Sequence, residues 1–257
     1  LVPTLRKWLA SLSYRPTKFV EPFAGGGIIS LTVAFEDLAN HVVMTELDDE
    51  IASVWQVILG RNAQWLADRI KGFDLTPENA ANEIAKRPRT VRERAFRTIL
   101  KNRIYHGGIL APGSGMFKHG ENGKGIRSRW YPETLAKRIF AIGTVREKIT
   151  FNPSDGLKTL GEFSRSTKSV FFIDPPYTAA GKKAGRRLYK HFDLDHEKLF
   201  SIASKLKGDF LMTYDDAAGV RKLGEKYKFD MHVIAMTNTH HATMTELLIG
   251  RNLDWAR

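Results

Sequence analysis

The chain has 257 residues, of which 42% are hydrophobic, and it contains no cysteine. That length suits one large domain, or one domain with an insertion, and the composition suffices for a proper core. No apolar run approaches the roughly 20 residues that span a bilayer, and the amino end lacks a signal-peptide pattern. Without cysteine, a disulfide framework and a thiolate metal site are excluded. We therefore expect a soluble globular protein of the cytoplasm.

The charge of the chain is strongly basic, with 40 Lys and Arg residues against 28 Asp and Glu residues, a formal +12. The excess is concentrated in windows 86–103, 118–129 and 182–190, which hold eight, four and five basic residues and only two acidic ones. Clustered cations indicate a polyanion partner, whereas a general solubility device would be spread over the surface. A membrane partner is not expected, because no window shows the apolar face of an amphipathic anchor.

A helix is predicted within 1–17, followed by a strand at 19–23 and a glycine-rich turn. The turn contains Gly25, Gly26 and Gly27, and an apolar helix begins near Ile28. Contiguous glycines let the backbone approach a ligand closely, and the N–H groups of the helix start point toward it. A dinucleotide site would instead show Gly-x-Gly-x-x-Gly. The pattern indicates a nucleotide-like ligand of another kind.

An acidic residue, Glu46, ends the next predicted strand, at 41–45. An acid after a strand is often only a surface residue or a helix cap. In nucleotide-binding sheets, however, an acid at this place holds the ribose hydroxyl groups. Because a glycine-rich strand–helix turn comes before it, we favour ribose binding by Glu46.

An apolar strand at 171–173 leads into Asp174, Pro175, Pro176 and Tyr177. The prolines end the strand at a rigid corner, and open α/β sheets bind their ligands at this end. The Asp174 carboxylate and the Pro175 carbonyl can each accept one hydrogen of an aromatic amine, which localises the nitrogen lone pair for attack on a methyl donor. Tyr177 can stack on the base once it has left its helix. The alternative is a strand-ending turn with an aromatic plug.

The motif Glu-Pro-Phe-Ala-Gly-Gly-Gly at 21–27, the acid at 46 and Asp-Pro-Pro-Tyr at 174–177 resemble those of Dam-like DNA adenine methyltransferases, the alpha group of amino-methyltransferases. The order of the motifs is also that of the group, and the similarity spans nearly all of the chain. The resemblance implies a Rossmann-like S-adenosylmethionine-dependent methyltransferase fold of class α/β, with a seven-stranded mixed sheet. Residues 1–55 and 148–257 would form the catalytic domain, and residues 56–147 an inserted helical and hairpin domain for target recognition.

The same resemblance implies a bacterial or phage-encoded enzyme that uses S-adenosylmethionine to methylate adenine in double-stranded DNA, with base flipping. Residues 23–27 would lie against the methionine portion of the cofactor, Glu46 would hold its ribose, and Asp155 would lie near its adenine. The implied cofactor-binding residues are Glu21, Pro22, Phe23, Ala24, Gly25, Gly26, Gly27, Glu46, Leu47, Asp155 and Asp174. The implied catalytic residues are Asp174, Pro175, Pro176 and Tyr177. A cognate restriction endonuclease, and a monomer or homodimer state, are left open.

The stretch 56–147 interrupts the strand–helix alternation, and its glycine-rich segment at 106–132 favours a hairpin or a flexible loop. Basic residues from Arg89 to Arg103 have spacings that cannot share one helix face, so some would contact phosphate while others are solvated or pair with Glu93. A loop can enter a groove of DNA, although a solvated charged loop is the alternative. The residues predicted to contact DNA are Lys101, Arg103, Lys118, Lys124, Arg127, Arg129, Lys182, Lys183, Arg186 and Arg187.

The rest of the sheet is predicted at 149–152, 209–213, 228–235 and 245–250. The last two strands have no helix between them and should be antiparallel. Asp195 is expected in the first turn of a helix. Residues 214–216 follow the fifth strand and either line the base pocket or cap the next helix.

No metal site is predicted. His240 and His241 are adjacent, so on a strand they would point to opposite faces, and no acid completes a site. The family also opens with a Trp- and Gly-rich segment ending in Lys, which this chain lacks before its first helix. Two alternatives are left open: the sequence is incomplete at that end, or the segment is absent, which would put the cofactor affinity in doubt but not the fold.

The residues of the sequence are also compatible with other functions. The acceptor could be adenine in structured RNA, or the amine of cytosine, because phosphate attraction serves both nucleic acids. A catalytically silent DNA-binding module is a different class of function. The intact sequence from Asp174 to Tyr177 argues against that class.

Overall fold

The computed structural model describes residues 1–110, 113–117, 123–176, 194–237 and 243–257. The chain forms two compact units. The first contains Leu1–Leu47 and the described parts of 148–185 and 192–257, and the second contains Asp48–Glu147. The domain boundary predicted after residue 55 falls inside a helix, Asp49–Ile58. The assignment of DNA recognition to the second unit stays a prediction.

A seven-stranded mixed sheet forms the centre of the first unit. Its strands are β1 Lys18–Glu21, β2 Val42–Glu46, β3 Ile149–Pro153, β4 Ser169–Ile173, β5 Phe210–Asp215, β6 Asp230–Thr237 and β7 Thr243–Gly250. They lie in the order β3-β2-β1-β4-β5-β7-β6, with β7 antiparallel to both of its neighbours and the other pairs parallel. The predicted seven-stranded mixed α/β sheet and its antiparallel last pair are confirmed.

Ten α-helices are described, in chain order. They are α1 Val2–Ser11, α2 Ile28–Phe35, α3 Asp49–Ile58, α4 Ala63–Lys71, α5 Pro77–Ala85, α6 Val91–Ile104, α7 Pro132–Gly143, α8 Gly156–Phe163, α9 His196–Lys205 and α10 Ala218–Lys226. Asp195 was expected in the first turn of a helix; it is instead the N-cap of α9, where its side chain accepts the backbone N–H of Lys198. Within the described residues, no helix has the length and apolar character to span a bilayer.

The core of the first unit follows from the apolar runs of its central strands. Every residue of β4 is buried, as expected for a parallel strand covered on both faces. Phe171 and Ile173 belong to one buried cluster with Phe200 from α9 and Phe210 from β5. This packing fixes the position at which β4 ends, and therefore the position of Asp174.

The second unit is helical. Helix α6 buries Phe96, whose ring meets that of Phe73 edge-on at a centroid distance of 5.2 Å. Between Tyr105 and Trp130, the described residues form two short 3-10 helices and a single antiparallel bridge, from Tyr105 to Met116, rather than paired strands.

Close backbone packing supports the end of β1. The N–H of Ala24 donates to the carbonyl of Thr45 on β2 at 2.9 Å. Gly156, the first residue of α8, lies so near that a Cβ there would be 2.4 Å from the Pro22 carbonyl oxygen and 2.8 Å from the Phe23 ring. A side chain at position 156 would therefore displace the segment that leads into the glycine turn.

We expect Gly156→Ala to lower the free energy of unfolding by about 1–3 kcal/mol, because a packed backbone has to move. Urea denaturation measures this. The control is Gly161→Ala in the same helix, where a Cβ would meet nothing within 4 Å. That change should instead raise stability by about 0.5–1 kcal/mol, through helix propensity. Equal effects of the two changes would contradict the packing role of Gly156.

Candidate active site at the carboxyl edge of the sheet

The backbone conformation of the turn between β1 and α2 favours glycine at two of its positions. Gly25 and Gly27 have φ of +47° and +64°, in the left-handed region that side chains disfavour. A Cβ at Gly25 or Gly26 would meet nothing within 4 Å, so open space lies beside the backbone there. The Glu46 carboxylate accepts the N–H of Gly25 at 2.9 Å and so connects the end of β2 to this turn.

Glu21, at the end of β1, is buried with 3% of its surface exposed. Its carboxylate accepts the N–H of Ser30 in α2 at 3.0 Å. Burial raises the pKa of Glu21 to about 8; the hydrogen bonding of Ser30 lowers it, and the nearby carboxylates of Asp174 and Glu46 raise it further. Three acids from separate strands thus share one edge of the sheet.

Apolar side chains are exposed next to two of these motifs. Leu47, which follows Glu46, is 50% exposed, and Ile28, which opens α2, is 63% exposed. Leu47 was among the predicted cofactor residues, but Ile28 was not. An exposed isoleucine directly after a glycine-rich turn is the sequence signal that could have identified it.

The Asp174 carboxylate lies at the end of β4 and is oriented by the neighbouring strand. The Thr213 hydroxyl on β5 donates to Asp174 Oδ1 at 2.6 Å, a short bond of the kind that carboxylates accept. Thr213 is fully buried, Pro175 is buried and Pro176 is half-buried. Tyr177 lies outside the described residues. Sequence reasoning missed Thr213, although a hydroxyl within the apolar strand Phe-Leu-Met-Thr-Tyr-Asp was a usable signal.

The side chains of Tyr214 and Asp216, which follow the middle of β5, have different partners. Tyr214 is fully buried and hydrogen-bonds to His196 Nδ1 at 3.0 Å, and burial raises the pKa of its hydroxyl. Asp216 forms an ion pair with Arg221 at 2.6 Å, and no side chain caps the N–H groups of α10. Of the two alternatives for this segment, capping of the next helix is therefore not observed.

Asp215 and Glu246 lie directly opposite each other on β5 and β7. Burial is the main cause that raises the pKa of each carboxyl, and the Asp174 carboxylate raises that of Glu246 further. One oxygen of each, Asp215 Oδ1 and Glu246 Oε2, is buried without a hydrogen-bond partner in the described part of the chain. The acidic character of this edge therefore extends beyond Asp174.

Asp155 caps α8, where its carboxylate accepts the N–H of Leu157 at 2.8 Å. Its predicted place beside the adenine of a cofactor stays a prediction. No group of three or more His, Asp and Glu side chains suited to a metal ion occurs among residues that the structure describes. His240 and His241 lie outside that set.

The cations predicted to contact DNA differ in how far they are already engaged. Lys101 is mostly buried, and its Nζ lies 2.7 Å from the Glu50 carboxylate. Arg103 is half-buried, and burial, followed by the charges of Arg138 and Arg129, lowers the pKa of its guanidinium. These side chains contribute to the packing of the second unit.

The glycine-rich segment supplies more accessible cations. Lys124 is exposed, and Arg127 is exposed while its guanidinium donates to the Leu75 carbonyl at 2.9 Å. Arg129 donates to the Tyr105 carbonyl and lies over the Phe117 ring. The other predicted DNA contacts lie outside the described residues; they are Lys118, Lys182, Lys183, Arg186 and Arg187.

No protein-family model matches the chain, and no curated protein matches it. Among solved structures with a similar fold, the tRNA methyltransferase TrmK of B. subtilis has 10% identity and a TM-score of 0.41, over 99% of this chain and 68% of that one. TrmK of M. capricolum in complex with S-adenosyl-homocysteine has 8% identity and a TM-score of 0.43, over 99% of this chain and 69% of that one. Spermidine synthase from Thermotoga maritima has 11% identity and a TM-score of 0.44, over 98% of this chain and 57% of that one. Similarity this low does not bear on the reaction.

Because the pKa of Glu21 is raised in the folded protein, the free energy of unfolding should depend on pH. A carboxyl whose pKa rises on folding, from 4.5 to about 8, keeps a proton that the unfolded chain has lost. Its contribution to stability is complete below the unfolded value and is lost as the pH rises through the folded value. Glu21→Gln keeps an acceptor for Ser30 but cannot ionise.

We therefore expect Glu21→Gln to gain stability relative to the wild type as the pH rises from about 5 to about 9. Urea unfolding of both proteins at several pH values measures the difference. A difference that does not change with pH would show that Glu21 is ionised throughout.

Proposed function

We propose that this protein transfers a methyl group from S-adenosylmethionine to the exocyclic amine of adenine in double-stranded DNA. The observation that carries the proposal is the Asp174 carboxylate at the end of β4, oriented by Thr213 and followed by the buried Pro175. It shares a sheet edge with the glycine turn that follows β1. An acceptor of amine hydrogens and a candidate nucleoside site therefore belong to the same edge.

The chemistry of the edge suits the proposed cofactor. The carboxylates of Glu46 and Asp174 are close enough to raise the pKa of Glu21, which keeps its proton at neutral pH, so these two carboxylates would repel a phosphate-bearing dinucleotide. A cationic nucleoside such as S-adenosylmethionine is favoured by the same field. We assign the open face of Gly25 and Gly26 to its methionine portion. When bound, this cofactor supplies an electrophilic methyl group.

For its ribose and adenine we propose the next strand. Glu46 would accept hydrogen bonds from the ribose hydroxyl groups. The exposed side chains of Leu47 and Ile28 offer apolar surface to the flat adenine ring. Asp155 caps α8 through one carboxylate oxygen, and its place near the adenine ring stays part of the proposal.

The residues of the chain act on the amine of the target base. Its lone pair is delocalised into the ring and is a weak nucleophile. If Asp174 and the Pro175 carbonyl each accept one amine hydrogen, the lone pair is localised on nitrogen. The methylated amine then loses one proton, which we assign to the Asp174 carboxylate. Most of the acceleration would come from positioning.

The basic windows of the chain support a nucleic acid as the acceptor, and adenine in DNA is proposed because the motifs at 21–27, 46 and 174–177 resemble those of Dam-like DNA adenine methyltransferases. The base has to leave its helix to reach Asp174. Stacking by Tyr177 is part of the proposal, although that residue lies outside the described structure.

The test of the function is mass spectrometry of nucleosides from duplex DNA that has been incubated with the protein and S-adenosylmethionine. We expect methylated adenine, and we expect Asp174→Ala to abolish it while cofactor affinity, measured by calorimetry, changes little. Competition with structured RNA at fixed salt identifies the acceptor. Cofactor binding without any methylated nucleoside would contradict the proposal. Loss of cofactor binding by Asp174→Ala would point to misfolding of that variant.

Thr213 should act as a positioning residue for Asp174. Thr213→Val keeps the size of the side chain and removes the hydroxyl that orients the carboxylate. We expect kcat to fall about tenfold, the value of one charge-assisted hydrogen bond, with KM for DNA and the cofactor Kd unchanged. Thr213→Ser should restore most of the rate. A rate loss that serine does not rescue would indicate a packing role only.

A further inference from the structure

We propose that a groove in the second unit, the Trp65 groove, binds the phosphodiester backbone of double-stranded DNA. It has a volume of about 990 Å³, and its lining includes Trp65, Arg69, Lys86, Arg87, Arg89 and Phe96. The proposal rests on the proposed function and adds to it a defined contact surface for the DNA. Arg89 belongs to the basic residues of which the sequence analysis expected some to contact phosphate, whereas the other side chains named here were not among the predicted DNA contacts.

The first argument is unbalanced charge. Five cationic and two acidic residues line the groove; both acids are engaged within it, and one of the cations, Arg97, pairs with Glu50 outside the lining. Glu83 pairs with Arg69 and Lys86, each at 3.3 Å. Glu93 accepts the backbone N–H of Arg89 at 2.8 Å as part of the cap of α6.

Two guanidinium groups remain for an external anion. The side chains of Arg87 and Arg89 are exposed and contact no carboxylate of the described part of the chain. Both precede α6, whose first turn adds a partial positive charge. The mouth of the groove is therefore strongly cationic.

The second argument is the way in which cations in and beside the groove are ordered. Arg69, in the lining, lies over the Phe96 ring at 4.6 Å. Arg92, which is not part of the lining, lies over the ring of the lining residue Trp65 at 4.9 Å. An aromatic ring holds a guanidinium by a cation–π contact without cancelling its charge. Since Arg69 also pairs with Glu83, the ordered positive charge that remains is that of Arg92 beside the groove, and such ordering lowers the entropy cost of binding an anion.

The rest of α6 provides a contrast. Arg94 lies 3.7 Å from Asp49, while Arg97 and Lys101 lie 3.2 and 2.7 Å from Glu50. Those cations are balanced by acids of their own unit. In the basic window 86–103, cations at the beginning are available to a polyanion, whereas these three cations farther along are paired.

Phosphodiesters are the occupant that this arrangement favours. A planar guanidinium matches two phosphate oxygens at once, and duplex DNA offers one phosphate charge per about 1.7 Å of helix axis. Contacts of this kind position a duplex without reading its sequence. Binding to the groove should therefore be independent of sequence and sensitive to salt.

The experiment compares two double variants by fluorescence anisotropy on a labelled duplex of mixed sequence over a range of salt concentrations. Arg87→Gln with Arg89→Gln removes the unpaired charges. Arg94→Gln with Arg146→Gln removes the same charge from the same unit at residues that pair with Asp49 and Glu147. We expect the first variant to bind about tenfold more weakly, with a log–log salt slope smaller by about 1.8. The second should stay within about twofold of the wild type.

Equal losses in both variants would overturn the proposal, because net charge alone would then explain them. The proposal would also be overturned by an unchanged salt slope in the first variant or by a wild type that binds no duplex. Binding that depends on the groove only with an RNA hairpin would overturn it as well. Methylation is measured separately. A protein that binds duplex DNA through the groove but yields no methylated nucleoside would refute the proposed function and leave this inference standing.

Discussion

The parallel pairing of β1 between β2 and β4 is the constraint on which the candidate site depends. Val20 lies beside Val43 on one side and Phe171 on the other. Because parallel strands end at the same edge, the segments after residues 21, 46 and 173 come together although they are far apart in the chain. The buried, apolar middle of these strands keeps their polar ends in register.

The ends of those strands are acidic, and this has a cost. Glu21 is buried next to other carboxylates, and the consequence is a raised pKa rather than an ion pair. Structures keep such unfavourable groups mainly where a site needs them. A ligand with positive charge would relieve the repulsion, which is why the arrangement supports a cationic cofactor better than a phosphate-bearing one.

Positive charge in the second unit is of two kinds. Cations such as Arg97 and Lys101 pair with Glu50 and stabilise the packing of α3 and α6. Others, such as Arg92, are ordered by an aromatic ring and keep their charge. The distinction matters because counting basic residues treats both kinds alike, whereas only the second kind is available to a polyanion.

The sequence by itself determined the number of strands, their positions along the chain and the antiparallel pairing of the last two, because the period and length of apolar runs are local signals. The glycine turn and the corner at Asp174 could be predicted for the same reason, since glycine and proline mark turns locally. Tertiary structure decided the rest. The bond from Thr213 to Asp174, the approach of Gly156 to Pro22 and the burial of Glu21 each join residues from different elements. Nor could the sequence show that Asp155 would cap a helix or that Lys101 would face Glu50. Those outcomes depend on which neighbour the fold brings within hydrogen-bond distance, and one-dimensional spacing does not contain that distance.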